Sequence, residues 1–159
     1  YNVPGRTGVS CTPEHYARLA EIPRINGVKE ASGDISLVSR TRHLCGDALN
    51  IWSGNDDQTL PMLALGAKGV ISVASNIVPQ VMATLCATAL SGDFFTARAI
   101  HEAYAGLFDA LFYEVNPIPV KTAMQMLGWD SGRLRLPLCP MAEGNAAKLQ
   151  NCLESLQLL

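Results

Sequence analysis

The chain has 159 residues, enough for one domain with a real core, and its 48% hydrophobic against 16% charged residues supply the apolar filling and argue against disorder. A formal net charge of -2 and twelve scattered basic residues give no electrostatic case for nucleic acid. The most continuous apolar stretch, residues 77–90, is interrupted by Pro79, Gln80 and Thr84 and falls short of a membrane span, so a small-molecule partner fits better.

The chain opens without an initiator Met, and Tyr1-Asn2-Val3-Pro4 reads as the end of a strand, so a piece of a longer polypeptide is expected. After Pro4-Gly5 a polar loop is expected, then a helix with Thr12 as N-cap and Pro13 at its first position. Residues 26–31 read as a short strand ending in Ser32-Gly33, and Asp34 can cap a helix through Leu37, Val38 and Leu44. Residues 49–53 make the next strand, Gly54 to Asp57 its loop, and Leu60 to Leu65 its helix. Residues 69–74 read as a further buried strand, and Ser75-Asn76 lead into a helix that tolerates Pro79 in its first turn. Beyond Gly92-Asp93 only helices are expected: Phe94 to Phe112, Pro119 to Leu127 and Ala142 to Leu158.

Strands alternating with helices, followed by helices alone, indicate an α/β fold with β/α units over residues 1–92 and a helical region over 93–159. Four strands cannot close a barrel that needs eight, and an open doubly wound sheet fits the same count. The candidate polar groups all fall at C-terminal strand ends, where barrel chemistry is built, which favours the barrel.

Lys29 stands out because a flexible cation gains nothing structurally inside a short apolar strand. Burial depresses the pKa of a lysine, and the neutral amine is the form that attacks a carbonyl. The plainer reading is a strand-end lysine paired with Glu30 or another carboxylate. Tyr1, at the end of the preceding strand, could relay protons, although most tyrosines simply pack. Arg6 could clamp a carboxylate bidentately, against the plainer reading of a solvated loop residue.

Other signals are weak. No GxxxxGK[ST] or GxGxxG follows a strand, so the Gly5-Arg6-Thr7-Gly8 turn is no phosphate cradle. His15, His43 and His101 lack spaced partners, which leaves no metal site to expect. Asp56-Asp57 could be an acid/base pair, yet carboxylates at helix starts are common for dipole reasons. Cys11, Cys45, Cys86, Cys139 and Cys152 are odd in number and show no CxxC; they read as free thiols of a cytoplasmic protein, and no signal peptide is recognised.

Tyr1-Asn2-Val3-Pro4-Gly5-Arg6-Thr7-Gly8 and Gly27-Val28-Lys29-Glu30-Ala31-Ser32-Gly33, taken together, resemble the dihydrodipicolinate synthase family of pyruvate-dependent class I aldolases. Ser53-Gly54-Asn55-Asp56, Gly69-Val70-Ile71-Ser72-Val73, Asn116-Pro117-Ile118-Pro119-Val120-Lys121 and Leu134-Arg135-Leu136-Pro137 continue the resemblance in order along essentially the whole chain. The resemblance implies a (β/α)₈ TIM barrel with three C-terminal helices, assembled as a homotetramer, of which this chain would be the C-terminal half, strands five to eight plus the helices. It implies a lyase of lysine and diaminopimelate biosynthesis that condenses pyruvate with aspartate semialdehyde and needs no metal or organic cofactor. Lys29 would form the imine with pyruvate, Tyr1 would relay protons, and Arg6 would bind the aldehyde's carboxylate. Ile71 would offer a backbone contact near pyruvate, and Gly54 would lie at the pocket rim.

The family's paired threonines, which bind the pyruvate carboxylate, its tyrosine donated across a subunit interface, and its lysine-feedback site have no counterpart in these residues. The chain alone is therefore expected to be inactive. Asn55 stands where the family has Asp, a change expected to be tolerated. Two alternatives stay open: a sister enzyme such as N-acetylneuraminate lyase or a 2-keto-3-deoxy sugar acid aldolase, against which Arg6 speaks, and a non-catalytic half-barrel module.

Overall fold

The computed structural model describes residues 1–159 and is α/β. Local capping explains where its first helices begin. The Thr12 hydroxyl accepts from the His15 backbone N–H at 3.4 Å and His15 Nδ1 accepts from the Thr12 N–H at 3.1 Å, a reciprocal cap that starts α2 (Pro13–Ala20). Asp34 starts α3 (Ile35–Cys45) by accepting from the Leu37 N–H at 2.9 Å.

Two strands, β1 (Gly27–Glu30) and β2 (Asn50–Ser53), pair in parallel with Gly27 opposite Asn50 and Lys29 opposite Trp52. A parallel bridge joins Asn2 to Glu30 on one side, and another joins Ser53 to Val70 on the other. The four expected segments thus lie side by side in chain order, but the outer two are shorter than expected.

Each shortening has a visible cause. Pro4 opens a helical turn, α1 (Pro4–Thr7), in place of the expected polar loop, so the first segment has room for one bridge. Proline at the first position and Gly8 at φ +69°, whose N–H returns to the Pro4 carbonyl, are the start and stop signals of that turn. At the other edge Ile71 N–H still bonds the Ser53 carbonyl at 2.8 Å, but the N–H groups of Val73 and Ala74 turn to the Asp56 carboxylate instead of extending the ladder. The chain then enters a 3₁₀ turn at Ala74–Asn76.

The remaining helices are α4 (Thr59–Ala64), α5 (Pro79–Leu90), α6 (Phe94–Ala110), α7 (Ile118–Met126) and α8 (Glu143–Ser155). None is long and apolar enough to cross a membrane. Apolar packing falls into two clusters. Tyr16, Val28, Val38, Leu49, Ile51, Met62 and Ala67 fill the layer between the sheet and helices α2 to α4. Eighteen buried residues, Leu107, Leu149 and Leu153 among them, form a larger core that draws from both sides of Gly92.

Candidate active site

Strand alternation sorts the chemistry onto two faces. Val28 and Glu30 point into the layer under the helices and are buried, so Lys29 between them stands on the opposite face. The bridge between Asn2 and Glu30 brings Tyr1 beside Lys29, whose Nζ lies 4.5 Å from the centre of the Tyr1 ring. A cation over an aromatic face is held by the ring quadrupole.

Lys29 has no carboxylate partner. The ion pairs of the chain are Arg40–Asp34, Arg42–Asp47, Arg98–Glu102 and Lys121–Asp130. Pairing with Glu30, the plainer reading of the sequence, does not occur because adjacent strand residues face opposite ways. Lys29 is half-buried rather than sealed, and the face it occupies is open: Tyr1 is 66% and Ile71 48% exposed.

Gly54 closes in from the neighbouring strand. Its N–H bonds the Glu30 carbonyl at 2.8 Å, and a Cβ there would stand 3.1 Å from Lys29 Cε and 2.6 Å from Ala31 Cβ. Any side chain at that position would press on the lysine stem. Ile71 lies one segment further across, its N–H bonded to Ser53, the residue before Gly54. Tyr1, Lys29, Gly54 and Ile71 therefore share one rim.

Arg6 sits apart, on α1. It is exposed, and its Nη2 donates to the Asn116 backbone carbonyl at 3.2 Å, tying this turn to the segment before α7. The long reach from residue 6 to 116 has no local signal. Lys121, in the Asn116 to Lys121 motif, gives its ammonium to both oxygens of Asp130 at 2.9 and 3.0 Å.

Two buried carboxylates carry more of the site's architecture than sequence reasoning assigned them. Asp56 is 2% exposed and its Oδ2 accepts from Val73 and Ala74 N–H at 3.0 and 2.8 Å, which pins the turn that follows Ile71. Asp57 lies at the surface in a cleft with Asp109, Phe112 and Tyr113, where burial of the carboxyl, and then the charges of Asp109 and Asp56, push it above the usual carboxylate range. The two are not an acid/base pair facing one substrate. Glu30, read only as a possible partner of Lys29, instead gathers Asn2, Tyr16 and Ser32 on the covered face. A polar residue at an alternate-face position of an apolar strand was the available signal.

All five cysteines are free, and burial raises Cys45, Cys86 and Cys152 above the usual thiol range. No three His, Cys, Asp or Glu side chains converge as metal ligands would. His15 is occupied in the α2 cap.

A 4-hydroxy-tetrahydrodipicolinate synthase of Geobacter sulfurreducens is 50% identical over 159 residues, which is 100% of this chain and 55% of that protein. Among solved structures, dihydrodipicolinate synthase from Thermotoga maritima superposes with a TM-score of 0.97 at 45% identity, covering 100% of this chain and 55% of its own. A chloride-inhibited dihydrodipicolinate synthase from Acinetobacter baumannii, solved with pyruvate, gives a TM-score of 0.97 at 40% identity over the same shares. The chain thus spans about half the length of the relatives it matches. The dihydrodipicolinate synthetase family model matches residues 1–156, and the chain belongs to that family.

Proposed function

We propose that these residues form the lysine-bearing half of a (β/α)₈ barrel, strands five to eight and the C-terminal helices, in an enzyme that condenses pyruvate with aspartate semialdehyde on the way to diaminopimelate and lysine. The observation that carries the reading is the Lys29 amine, free of any carboxylate and set against the Tyr1 ring at the strand ends. Family membership and a structural neighbour that holds pyruvate support it.

In this reading the neutral Lys29 amine attacks C2 of pyruvate, the carbinolamine loses water, and a C=N bond forms. Tyr1 passes a proton to the departing hydroxyl and takes it back when the product is released. The Tyr1 phenolate left by that transfer takes a proton from the pyruvate methyl group as the electron pair moves to the iminium nitrogen, and when the enamine attacks the aldehyde carbon the phenol gives that proton to the aldehyde oxygen. Gly54 leaves the space in which the modified lysine turns, Ile71 supplies a backbone contact, and Arg6 binds the aldehyde's carboxylate with the donors that Asn116 does not engage.

Activity is proposed for the protein that contains these residues. The chain by itself is expected not to turn over, because the threonines that the resemblance assigns to the pyruvate carboxylate have no counterpart in it. The open face around Tyr1 and Ile71 and the singly bridged outer segments call for more protein against them, in a homotetramer by family resemblance and, given five free thiols, in the reducing cytoplasm.

Pyruvate and borohydride test the reading directly. A reduced pyruvyl group should appear by mass spectrometry on Lys29 and not on Lys68, Lys121 or Lys148, and Lys29→Ala should abolish it. Labelling at another lysine would sink the assignment. A preference for a sugar aldehyde over aspartate semialdehyde would move the protein to a sister aldolase.

A further inference from the structure

We propose that Glu30 is a positioning residue: from the covered face of the sheet, through Asn2 and Tyr16, it sets the distance between Tyr1 and Lys29. The proposal rests on the Schiff-base reading of Lys29.

Glu30 is 3% exposed and Asn2 2% exposed, and no cation reaches either. A carboxylate in such a layer must be held by hydrogen-bond donors. Asn2 Nδ2 donates to both of its oxygens at 3.0 Å, the Tyr16 hydroxyl to Oε2 at 2.6 Å, and the Ser32 N–H to Oε1 at 2.7 Å. Asn2 Oδ1 in turn accepts from the Cys11 N–H at 3.2 Å. The donors come from three places: the outer segment, helix α2 and the turn after β1.

The connection to the reacting groups is covalent on both sides. Asn2 follows Tyr1 and Glu30 follows Lys29, so a lock between residues 2 and 30 on one face fixes residues 1 and 29 on the other. The backbone alone holds this register weakly. The outer segment has a single bridge, with Asn2 N–H to the Lys29 carbonyl at 3.0 Å and Ala31 N–H to the Asn2 carbonyl at 2.9 Å, before Pro4 turns the chain into α1. A slip of one residue would send Tyr1 to the wrong face. Burial, and next its bond to Glu30, raise the Tyr16 phenol far above its ordinary range, so it stays a donor at every working pH. An apolar side chain would fill this layer with less desolvation cost; a carboxylate with three donors specifies position instead.

The test uses the native protein that contains these residues. Glu30→Gln keeps the shape and turns one acceptor into a donor facing donors. Imine formation at Lys29, trapped by borohydride at timed quenches, should slow about ten- to a hundredfold, with pyruvate KM and final stoichiometry nearly unchanged. Asn2→Ala, which removes the amide that bonds both Glu30 oxygens, should slow the same step by about the same factor, again in the rate and not in pyruvate KM. Should Glu30→Gln fail to fold, Tyr16→Phe keeps the ring, removes one donor, and should slow the imine step about three- to tenfold at a preserved melting transition. An imine step at full rate in the folded variants, or a loss carried by pyruvate KM with the rate unchanged, overturns the proposal. Absence of Lys29 labelling in the unsubstituted protein would instead overturn the Schiff-base reading beneath it.

Discussion

Leu107, Leu149 and Leu153 disappear into an eighteen-residue apolar core made by α4 to α8 and the segments that join them, whereas the layer behind the sheet holds seven buried apolar residues, with Asn2 and Glu30 buried beside them and Asp56 buried just after β2. The helical region is specified by volume. The strand ends are specified by directional bonds from a few polar side chains. Apolar packing accepts small slides and volume-conserving exchanges, but a carboxylate with fixed donors does not. The region where Lys29 lies against the Tyr1 ring uses the second kind of specification.

The largest expected effect lies in the helical core. Leu107→Ala removes a fully buried side chain and should destabilise the native protein by about 2–5 kcal/mol in urea denaturation, while borohydride labelling of Lys29 persists in the folded fraction. A loss below about 1 kcal/mol would mean that this core is not tightly packed, and the contrast would dissolve.

The strand ends should answer to hydrogen-bond chemistry rather than to size. Asp56→Ala leaves the N–H groups of Val73 and Ala74 buried without their acceptor and should cost about 1–3 kcal/mol. Asp56→Asn retains one oxygen able to accept both and offers its NH₂ where Oδ1 now has no partner, so it should cost clearly less. Equal losses in the two variants would show that volume, and not acceptor placement, matters there too.

The same contrast decides what could be read from the residues alone. Caps are local, so Thr12, Pro13 and Asp34 announced α2 and α3 correctly. Lys29 is conspicuous because a flexible cation gains nothing structurally inside a short apolar strand. The strand over residues 69–74 was read too long because the group that bends it, Asp56, lies seventeen residues before Val73. Helix α1 went unseen, since four residues are too few for periodicity and only Pro4 and Gly8 mark it. A Glu30–Lys29 pair is only the plainer alternative that sequence adjacency offers, and a period of two puts these neighbours on opposite faces. The tether from Arg6 to Asn116 spans 110 residues and leaves no trace in either neighbourhood.

The smallest expected effect concerns acid, and it separates the two regions by sign. In the helical region Asp130 is held below the usual carboxylate range, first by the Lys121 ammonium and then by the Gly132 N–H. A carboxyl depressed in the folded state contributes stability that is present above its unfolded value near 3.8 and is lost as pH falls through the folded value. At the strand ends Asp57 is raised, chiefly by burial, so its contribution is favourable below 3.8 and is lost as pH rises through the elevated folded value. Asp130→Asn should therefore lower stability near neutrality and converge with the unsubstituted protein in strong acid, whereas Asp57→Asn should raise stability near neutrality and converge on acidification. Both shifts belong to groups in contact with solvent and should be modest, with the Asp130 effect shrinking further in high salt. Melting temperatures of the two variants measured from pH 3 to pH 7 would settle the signs, and two curves bending the same way would remove the electrostatic half of the contrast.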